Sequence, residues 1–415
     1  MSLSPAAARK RTPAISTFQG GFEPATLFDF KELTMNTKFR AALSPLSAAT
    51  LTLCLAVSPI AVKAQTVPKH TIENLQQAYQ QQWVKEFGPL ATEPQAPLAK
   101  LLSTLPHSDR DADYDTLSSR EGLASITTAN VTRPAPLAAI ISTDVQLNGR
   151  RIPVRIYCPE SHAARNVLFF IHGGGHLSGS VTVYDPIARR LALATGDTVV
   201  AVDYRRAPEA PYPAGLHDAR AALLKVYQIL NQHQIAFQPH LTLVGDSGGG
   251  AFSATIAQDL QTTKPGFISK LVLIYPSLDY TMSWPSLMEN GKGKLLDKNK
   301  IAWYFDQYFQ HNEDRRAVSP LYRPIAADFP PTLLFSGGLD PLRDEDFAFV
   351  ARLKQQHARV NHVHFPDIVH AFLMIENLVP DQANQVYHDI ADFVADAPQT
   401  PLKTPAHDPD PLANP

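Results

Sequence analysis

Short apolar runs separated by helical stretches dominate the chain from Ile140 onward. These runs occupy residues 167–171, 198–202, 241–244, 271–275, 332–335 and 360–365. Strands that are apolar on both faces and alternate with helices are typical of a parallel sheet covered on both sides. The pattern therefore predicts an α/β fold with a mostly parallel central sheet and helices on both faces.

Two segments of alternating polarity precede these runs. Residues 142–147 and 152–158 alternate between apolar and polar positions, and Asn148-Gly149 between them is typical of a tight turn. The alternation predicts a β-hairpin. We place the regular domain at residues 140–396.

The alternation of apolar runs and helical stretches is interrupted on either side of this domain and once inside it. Residues 71–87 carry an apolar stripe at helical spacing, and such a helix packs either on the core or over a pocket. Between Asp279 and Pro320 a loop precedes an aromatic helix, which we interpret as an insertion above the sheet. Residues 397–415 are rich in Pro, Asp and Ala, which predicts a disordered tail.

The composition and net charge of the chain limit the kinds of molecule that it is expected to bind. The chain has 415 residues, of which 44% are hydrophobic and 18% charged, so one large domain can bury a full core. Its formal net charge is -2, which argues against a nucleic-acid or acidic-lipid partner. A small, nearly neutral substrate is the better expectation.

Residues 35–64 have the pattern of a secretory signal peptide. Lys38 and Arg40 precede a small and apolar run that ends in Val62-Lys63-Ala64, a small-residue cleavage site. A membrane anchor is the alternative, but prolines and hydroxyl residues within the run make a poor spanning helix. We expect cleavage before Gln65, export to the periplasm or the medium, and no stable membrane insertion of the mature chain.

The stretch before the signal fits neither a signal nor a fold. A start at Met35 would give the signal a normal short basic front end. We therefore interpret residues 1–34 as an upstream extension that is not native to the protein.

The sharpest motif is Gly245-Asp246-Ser247-Gly248-Gly249, between the run at 241–244 and a helical stretch at 251–260. A strand, a tight turn and a helix are the context of a nucleophile elbow, where small neighbours allow a strained turn to expose the serine hydroxyl. A Gly-rich turn with an incidental serine is the alternative. Ser247 is therefore the candidate nucleophile, subject to support elsewhere in the chain.

A second glycine motif, His172-Gly173-Gly174-Gly175, directly follows the run at 167–171. Residues without side chains allow backbone amides to point at a developing oxyanion. We expect the amides of Gly173, Gly174 and Gly248 to form the oxyanion hole. A phosphate-binding loop is disfavoured, because neither a Gly-x-Gly-x-x-Gly pattern nor a following Gly-Lys-Ser/Thr is present.

Fifteen histidines supply the candidate bases that a serine nucleophile needs. His370 lies just past the last run and before a C-terminal helical stretch, where a loop can reach the carboxyl edge of the sheet. His357, His362 and His364 lie at a helix end or in a strand and are expected to face solvent or core. His370 is therefore the candidate base.

The orienting acid is sought at the end of another strand. Asp340 follows the run at 332–335 at its carboxyl end, whereas Asp344 and Asp346 come after Pro341 and are expected in the next helix. The chain order of serine, aspartate and histidine is the order found in triads of this fold class. Asp340 is therefore the candidate acid.

Taken together, these motifs resemble the hormone-sensitive lipase family of bacterial esterases and lipases, within the α/β-hydrolases. The resemblance covers roughly residues 140–395 and includes further segments at 203–213, 275–279 and 319–321. It implies a helical cap over the active site, built from helices within 65–139 and from the insertion at about 280–318. It also implies the same oxyanion-hole glycines, and structural roles for Asp203, Arg205 and Glu209.

The sequence departs from the family pattern at three positions near the site. Gly248 stands where alanine is usual, and Ala371 where glycine often follows the histidine. His176 stands where an aromatic or aliphatic residue often follows the glycines. None of these changes removes a catalytic group, and His176 is expected to make the pocket rim more polar.

The resemblance and the triad imply a carboxylic ester hydrolase that acts on short-chain acyl esters through an acyl-enzyme, without metal or cofactor. The alternative within enzymes is an amidase, or a carbohydrate or xenobiotic deacetylase, with the same triad. The alternative from another class is a non-catalytic ligand-binding protein on this scaffold, against which His370 argues. The expected partner is a small-molecule ester, and the family includes monomers and homodimers.

Overall fold

A computed structural model describes Asn74, Ala91 and residues 93–104, 114–147, 149–160 and 164–395. The upstream extension, the signal and the tail predicted from the sequence lie outside these described residues. The same holds for nearly all of the helix expected at 71–87.

Within the described residues the strands form one eight-stranded sheet. They are β1 (Ala139–Leu147), β2 (Arg150–Cys158), β3 (Arg165–Ile171), β4 (Thr198–Val202), β5 (Phe237–Asp246), β6 (Lys270–Ile274), β7 (Thr332–Leu339) and β8 (Val360–Val369). Their order is β1-β2-β4-β3-β5-β6-β7-β8. β1 pairs with β2 and β2 with β4 in antiparallel fashion, and the remaining pairings are parallel. The predicted α/β fold is confirmed, with the hairpin at one edge of the sheet.

Helices fill most of the connections between these strands. They are α1 (Ala96–Thr104), α2 (Thr116–Asn130), α3 (Asp185–Thr195), α4 (Ala214–Leu224), α5 (Val226–Gln232), α6 (Ser247–Thr263), α7 (Ser286–Glu289), α8 (Lys298–Tyr308), α9 (Arg315–Val318), α10 (Arg343–Gln355) and α11 (Pro380–Ala395). Local sequence explains some of their ends. Asp115 caps α2 by accepting a hydrogen bond from the Ser118 amide at 2.9 Å, and Gly196 ends α3 in the left-handed conformation.

Both faces of the sheet are buried, each under its own group of helices. On β3, Val167, Phe169 and Ile171 pack into one core, whereas Leu168 and Phe170 pack into the other. Helices α4, α5, α6 and α10 cover the first face, and α1, α3 and α11 cover the second. Because successive side chains of a strand point to opposite faces, a strand covered twice is apolar throughout.

The chain between β6 and β7 leaves the sheet and returns to its starting point. The Leu321 amide donates to the Leu278 carbonyl at 2.9 Å, and the Tyr280 amide donates to Ser319 Oγ at 2.8 Å. The two ends of the insertion are therefore joined, and α7, α8 and α9 lie within it. None of the helices in the described ranges is long and apolar enough to cross a bilayer.

Leu243→Ala tests the burial of the central strand β5. Leu243 is 0% exposed, so the variant is expected to lower the free energy of unfolding by about 3 kcal/mol through lost burial and a residual cavity. Leu193→Ala on α3 is the matched control, because Leu193 is 41% exposed and should change stability by less than about 0.5 kcal/mol. Urea unfolding measures both, and equal effects would contradict the assignment of β5 to the core.

Candidate active site

Three side chains from three different strand ends meet at the carboxyl edge of the sheet. Ser247 follows β5, Asp340 follows β7 and His370 follows β8. Ser247 Oγ lies 2.9 Å from His370 Nε2, and His370 Nδ1 lies 2.8 Å from Asp340 Oδ2. With its proton on Nδ1, His370 donates to the carboxylate and accepts from the serine hydroxyl, which is the arrangement of a Ser-His-Asp triad.

Ser247 occupies a strained turn between β5 and α6. Its φ is 50°, in the left-handed region that residues other than glycine rarely adopt. The turn also needs small neighbours, because a Cβ on Gly245 would lie 2.3 Å from the Gly249 carbonyl oxygen. A Cβ on Gly249 would lie 2.0 Å from the carbonyl oxygen of Ile171, at the end of β3. The two glycines therefore let the turn close tightly and press it against β3.

Asp340 is fully buried and fixed from two sides. One carboxylate oxygen accepts the Leu342 amide at 2.7 Å, while the other faces His370. The alternatives Asp344 and Asp346 lie in α10, as expected, and Asp344 accepts instead from the Ser286 amide at 2.8 Å. Among the three aspartates, Asp340 is the one that contacts the histidine.

The other candidate histidines lie away from Ser247. His362 Nε2 and His364 Nδ1 lie 2.7 and 2.8 Å from Ser336 Oγ, between strands β7 and β8. Burial lowers the pKa of both rings, that of His364 to about 3, so both stay neutral. His357 is exposed in the turn after α10. Only His370 of these four is placed to take a proton from the serine.

One of the three expected oxyanion donors is already engaged. The Gly173 amide donates to Asp246 Oδ1 at 2.7 Å, and the Tyr184 hydroxyl donates to Asp246 Oδ2 at 3.0 Å. In the described part of the chain, the amides of Gly174 and Gly248 have no such partner. The structure thus differs from the sequence-based expectation at Gly173, because the carboxylate before the nucleophile turns toward the glycine loop and occupies its first amide.

Asp246 is a buried acid directly beside the nucleophile. Burial raises the pKa of Asp246 to about 6, although the hydrogen bonds from Tyr184 and Gly173 and the nearby His172 and His370 rings oppose this shift. The aspartate in the glycine motif thus connects the nucleophile elbow to the oxyanion loop. Its position next to Ser247 in the motif was the only sequence signal for this contact.

His176 does not make the rim polar, contrary to the expectation from the sequence. Its side chain is 1% exposed and stacks against the rings of Phe252 and Tyr308, at centroid distances of 4.7 and 4.1 Å. Burial lowers the pKa of His176 to about 3, so the imidazole is neutral. The aromatic partner from α8 lies more than a hundred residues away in sequence and could not be assigned to His176 from local pattern.

A cavity of about 500 Å³ opens above Ser247. Its walls are mostly apolar: Leu123 and Ile126 come from α2, and Leu295 and Ile301 from the segment between β6 and β7. The volume lies within the range of small-molecule sites. In the described ranges, no group of three or more His, Cys, Asp or Glu side chains is arranged to hold a metal ion.

Arg120 on α2 was not singled out in the sequence. Its guanidinium donates to the Leu177 and Ala207 carbonyl oxygens, each at 3.0 Å, and to both Glu209 oxygens at 2.8 and 2.6 Å. One side chain thus fixes α2 to the segments that follow β3 and β4. The lack of a clear pattern in residues 90–138 explains why this contact was missed.

The three polar residues after β4 that were expected to be structural each contact another side chain of the scaffold. Glu209 pairs with Arg120, as described, and Arg205 Nε lies 2.8 Å from Asp218 Oδ2. Asp203 Oδ1 lies 3.8 Å from His172 Nε2. These contacts stay within the scaffold, and none of the three residues reaches Ser247.

Comparison with known proteins is consistent with this geometry. Residues 168–374 match a family model described as the alpha/beta hydrolase fold. The carboxylic ester hydrolase LipN from Mycobacterium tuberculosis is 31% identical over 275 residues, which are 64% of this chain and 72% of LipN. The chain belongs to the α/β-hydrolase family. The family resemblance read from the motifs is thereby confirmed.

Further relatives of this α/β-hydrolase are esterases by name. An ethyl acetate hydrolase from Pseudomonas putida is 31% identical over 56% of this chain and 75% of its own length. Among solved structures, a hyperthermophilic esterase from Pyrobaculum calidifontis aligns with a TM-score of 0.65 and 27% identity, over 73% of this chain and 98% of that one. The carboxylesterase EstE1 from a metagenomic library aligns with a TM-score of 0.63 and 29% identity, over 68% and 97%.

Asp246→Asn tests the buried acid through stability. Because burial raises its pKa, the native state keeps the Asp246 proton to higher pH than the unfolded state, and wild-type stability falls as pH rises toward about 6. The asparagine variant lacks this loss. The difference in free energy of unfolding between the variant and the wild type should therefore shift by about 2 kcal/mol in favour of the variant from about pH 4 to about pH 8. Urea unfolding at both pH values measures the gap, and a gap that does not change with pH would contradict the raised pKa.

Proposed function

We propose that this α/β-hydrolase is a carboxylesterase that uses Ser247, His370 and Asp340 as its catalytic triad. The observation that carries the proposal is the hydrogen-bonded row of these three side chains at the floor of an apolar cavity. The ester-hydrolysing relatives support the choice of reaction, since the triad alone can cut esters or amides. Short-chain acyl esters are the proposed substrates.

The reaction proceeds in two acyl-transfer steps. Ser247 Oγ attacks the ester carbonyl carbon while His370 Nε2 takes the hydroxyl proton, and the imidazolium then protonates the departing alcohol. Water attacks the acyl-enzyme with His370 as the base, and the proton returns to Ser247 as the carboxylic acid leaves. Asp340 holds the imidazole in one tautomer and stabilises its positive charge through the 2.8 Å contact.

We further propose that the oxyanion of each tetrahedral intermediate is bound by the amides of Gly174 and Gly248. Both are available beside Ser247, whereas the Gly173 amide is held by Asp246. Gly173 then acts indirectly, because its hydrogen bond fixes the start of the glycine loop. Donors fixed in advance at this point stabilise charge that develops only in the transition state.

The segments above the cavity are proposed to act as its cap. Leu123 and Ile126 on α2, together with Leu295 and Ile301 from the insertion, form apolar walls above Ser247. Such walls exclude water from the acyl group and strengthen electrostatic contacts within the site. The Arg120 contacts hold α2 in place over it.

Export is a separate proposal that rests on the pattern of residues 35–64. We propose that synthesis starts at Met35 and that a signal peptidase cuts after Ala64. Expression of the chain from Met35 onward in a bacterium, followed by N-terminal sequencing of the exported protein, is expected to yield Gln65 as the first residue. A mature chain that begins before Gln65, or a product found only in the cytoplasm, would contradict this proposal.

Hydrolysis of p-nitrophenyl esters from acetate to palmitate tests the central proposal. Ser247→Ala and His370→Ala should each lower kcat by roughly 10⁴-fold or more, because the nucleophile and its base act as one unit. Asp340→Asn should lower kcat by roughly 10³- to 10⁴-fold, since the imidazole loses its orientation and its counter-charge. Turnover should be greatest for the short esters.

His240→Ala is the matched control for loss of a histidine, because His240 is exposed in β5. This variant should keep wild-type kcat. Turnover that survives in Ser247→Ala would contradict the role of Ser247. Folded wild-type protein that cleaves p-nitroanilides but not the esters would contradict the ester preference.

A further inference from the structure

The two family departures next to the nucleophile, Gly248 and His176, lie against each other. A Cβ built on Gly248 would lie 3.2 Å from both Cε1 and Nδ1 of the His176 ring, and 3.3 Å from the His176 backbone nitrogen. These separations are tighter than ordinary van der Waals contact, so a methyl group at position 248 requires the imidazole to move by a few tenths of an ångström. Whether position 248 can accept a residue larger than glycine therefore depends on whether the His176 ring can move.

Three aromatic side chains from three parts of the fold pack against the imidazole and oppose that movement. Phe252 on α6 and Tyr308 on α8 both stack against His176, with interplanar angles of 24° and 22°, and their own ring centroids lie 6.2 Å apart. Tyr280, at the start of the insertion, meets the ring edge-on, and its hydroxyl lies 3.3 Å from Nε2. The imidazole is thus enclosed between the nucleophile helix and the insertion.

The chemistry of the ring argues for positioning over proton transfer. Its pKa lies far below neutral, so His176 carries no charge in the working range of the triad, and its Nδ1 is buried without a hydrogen-bond partner. An unpaired buried nitrogen contributes no stability, whereas stacked rings do. What the ring supplies is a rigid, flat group packed against Phe252, Tyr280 and Tyr308.

This group is attached directly to the oxyanion loop. His176 follows Gly174 and Gly175, and its carbonyl accepts the Ala207 amide at 2.9 Å. A displaced imidazole would therefore displace the loop backbone two residues from the Gly174 amide. Small errors in donor position are costly, because the donors must match where the oxyanion will lie.

We infer that His176 is a positioning residue of the oxyanion hole: its stacked ring sets the spacing between the glycine loop and Gly248, and it requires glycine at position 248. The inference rests on the proposed function, since it gives the amides of Gly174 and Gly248 their role. In this arrangement the insertion also contributes to the oxyanion hole, because its residues Tyr280 and Tyr308 pack against the ring.

A double-mutant cycle on residues 176 and 248 tests the inference. Gly248→Ala should lower kcat about tenfold with little change in KM, because oxyanion contacts form chiefly in the transition state. In a His176→Ala background the same substitution should lower kcat by no more than about threefold, since the ring atoms that it meets are gone and only the approach to the backbone nitrogen of residue 176 remains. A tenfold loss in both backgrounds would overturn the inference.

His176→Phe separates stacking from polarity. It keeps an aromatic ring packed against Phe252 and Tyr308 but removes both nitrogens, so kcat should stay within about threefold of the wild type, with the acid limb of the pH profile unchanged. His176→Ala should lose about tenfold or more in kcat. Equal losses in the two variants, or a shifted acid limb in His176→Phe, would show that a ring nitrogen takes part and would overturn the positioning role.

The same double-mutant cycle is then measured by thermal unfolding in a Ser247→Ala background, because Tm does not depend on catalytic activity. Gly248→Ala should lower Tm clearly more with His176 present than in its absence, and this result separates failure of the contact from failure of the proposed function. If His176→Ala does not fold, His176→Cys replaces it, because its side chain ends at the γ position and places no atom where Nδ1 and Cε1 of the ring lie. An equal fall in Tm in both backgrounds would contradict the contact.

Discussion

The close approach of the β5–α6 turn to the end of β3 is the constraint on which the site depends. Only glycine fits at position 249, where the turn meets the Ile171 carbonyl, and Ser247 in the same turn has a positive φ. Since β3 also leads into the glycine loop, the same contact fixes the nucleophile relative to the oxyanion donors. The buried strands next to this turn hold Ser247 in its strained conformation, because they are packed on both faces of the sheet.

Side chains around this turn connect it to neighbouring parts of the fold. Asp246 joins the turn to the first amide of the glycine loop and to Tyr184, although burial works against its charge. Arg120 joins α2 to the backbone after β3 and β4, and the enclosed ring of His176 joins the insertion to the same loop. The cavity walls and the oxyanion donors are therefore parts of one connected structure, so a change in the segments above the site can alter the geometry at the reacting carbon.

The sequence was sufficient for the features that depend on strand ends. Ser247, Asp340 and His370 each follow an apolar run, and parallel strands bring such residues to one edge of the sheet, so the meeting of these three side chains could be predicted. The engaged Gly173 amide could not, because it depends on where the Asp246 side chain turns. The burial of His176 could not either, because Tyr308 reaches it only through the tertiary packing of the insertion.

Covalent trapping of the nucleophile tests the central claim most directly. A p-nitrophenyl phosphonate should release one equivalent of p-nitrophenol per folded chain and leave its phosphonyl group on Ser247 Oγ, located by mass spectrometry of the peptide that contains residues 245–249. The His370→Ala variant should react far more slowly, because the hydroxyl then lacks its base. Labelling of any residue other than Ser247, or no labelling of folded protein, would contradict the catalytic role of Ser247, His370 and Asp340.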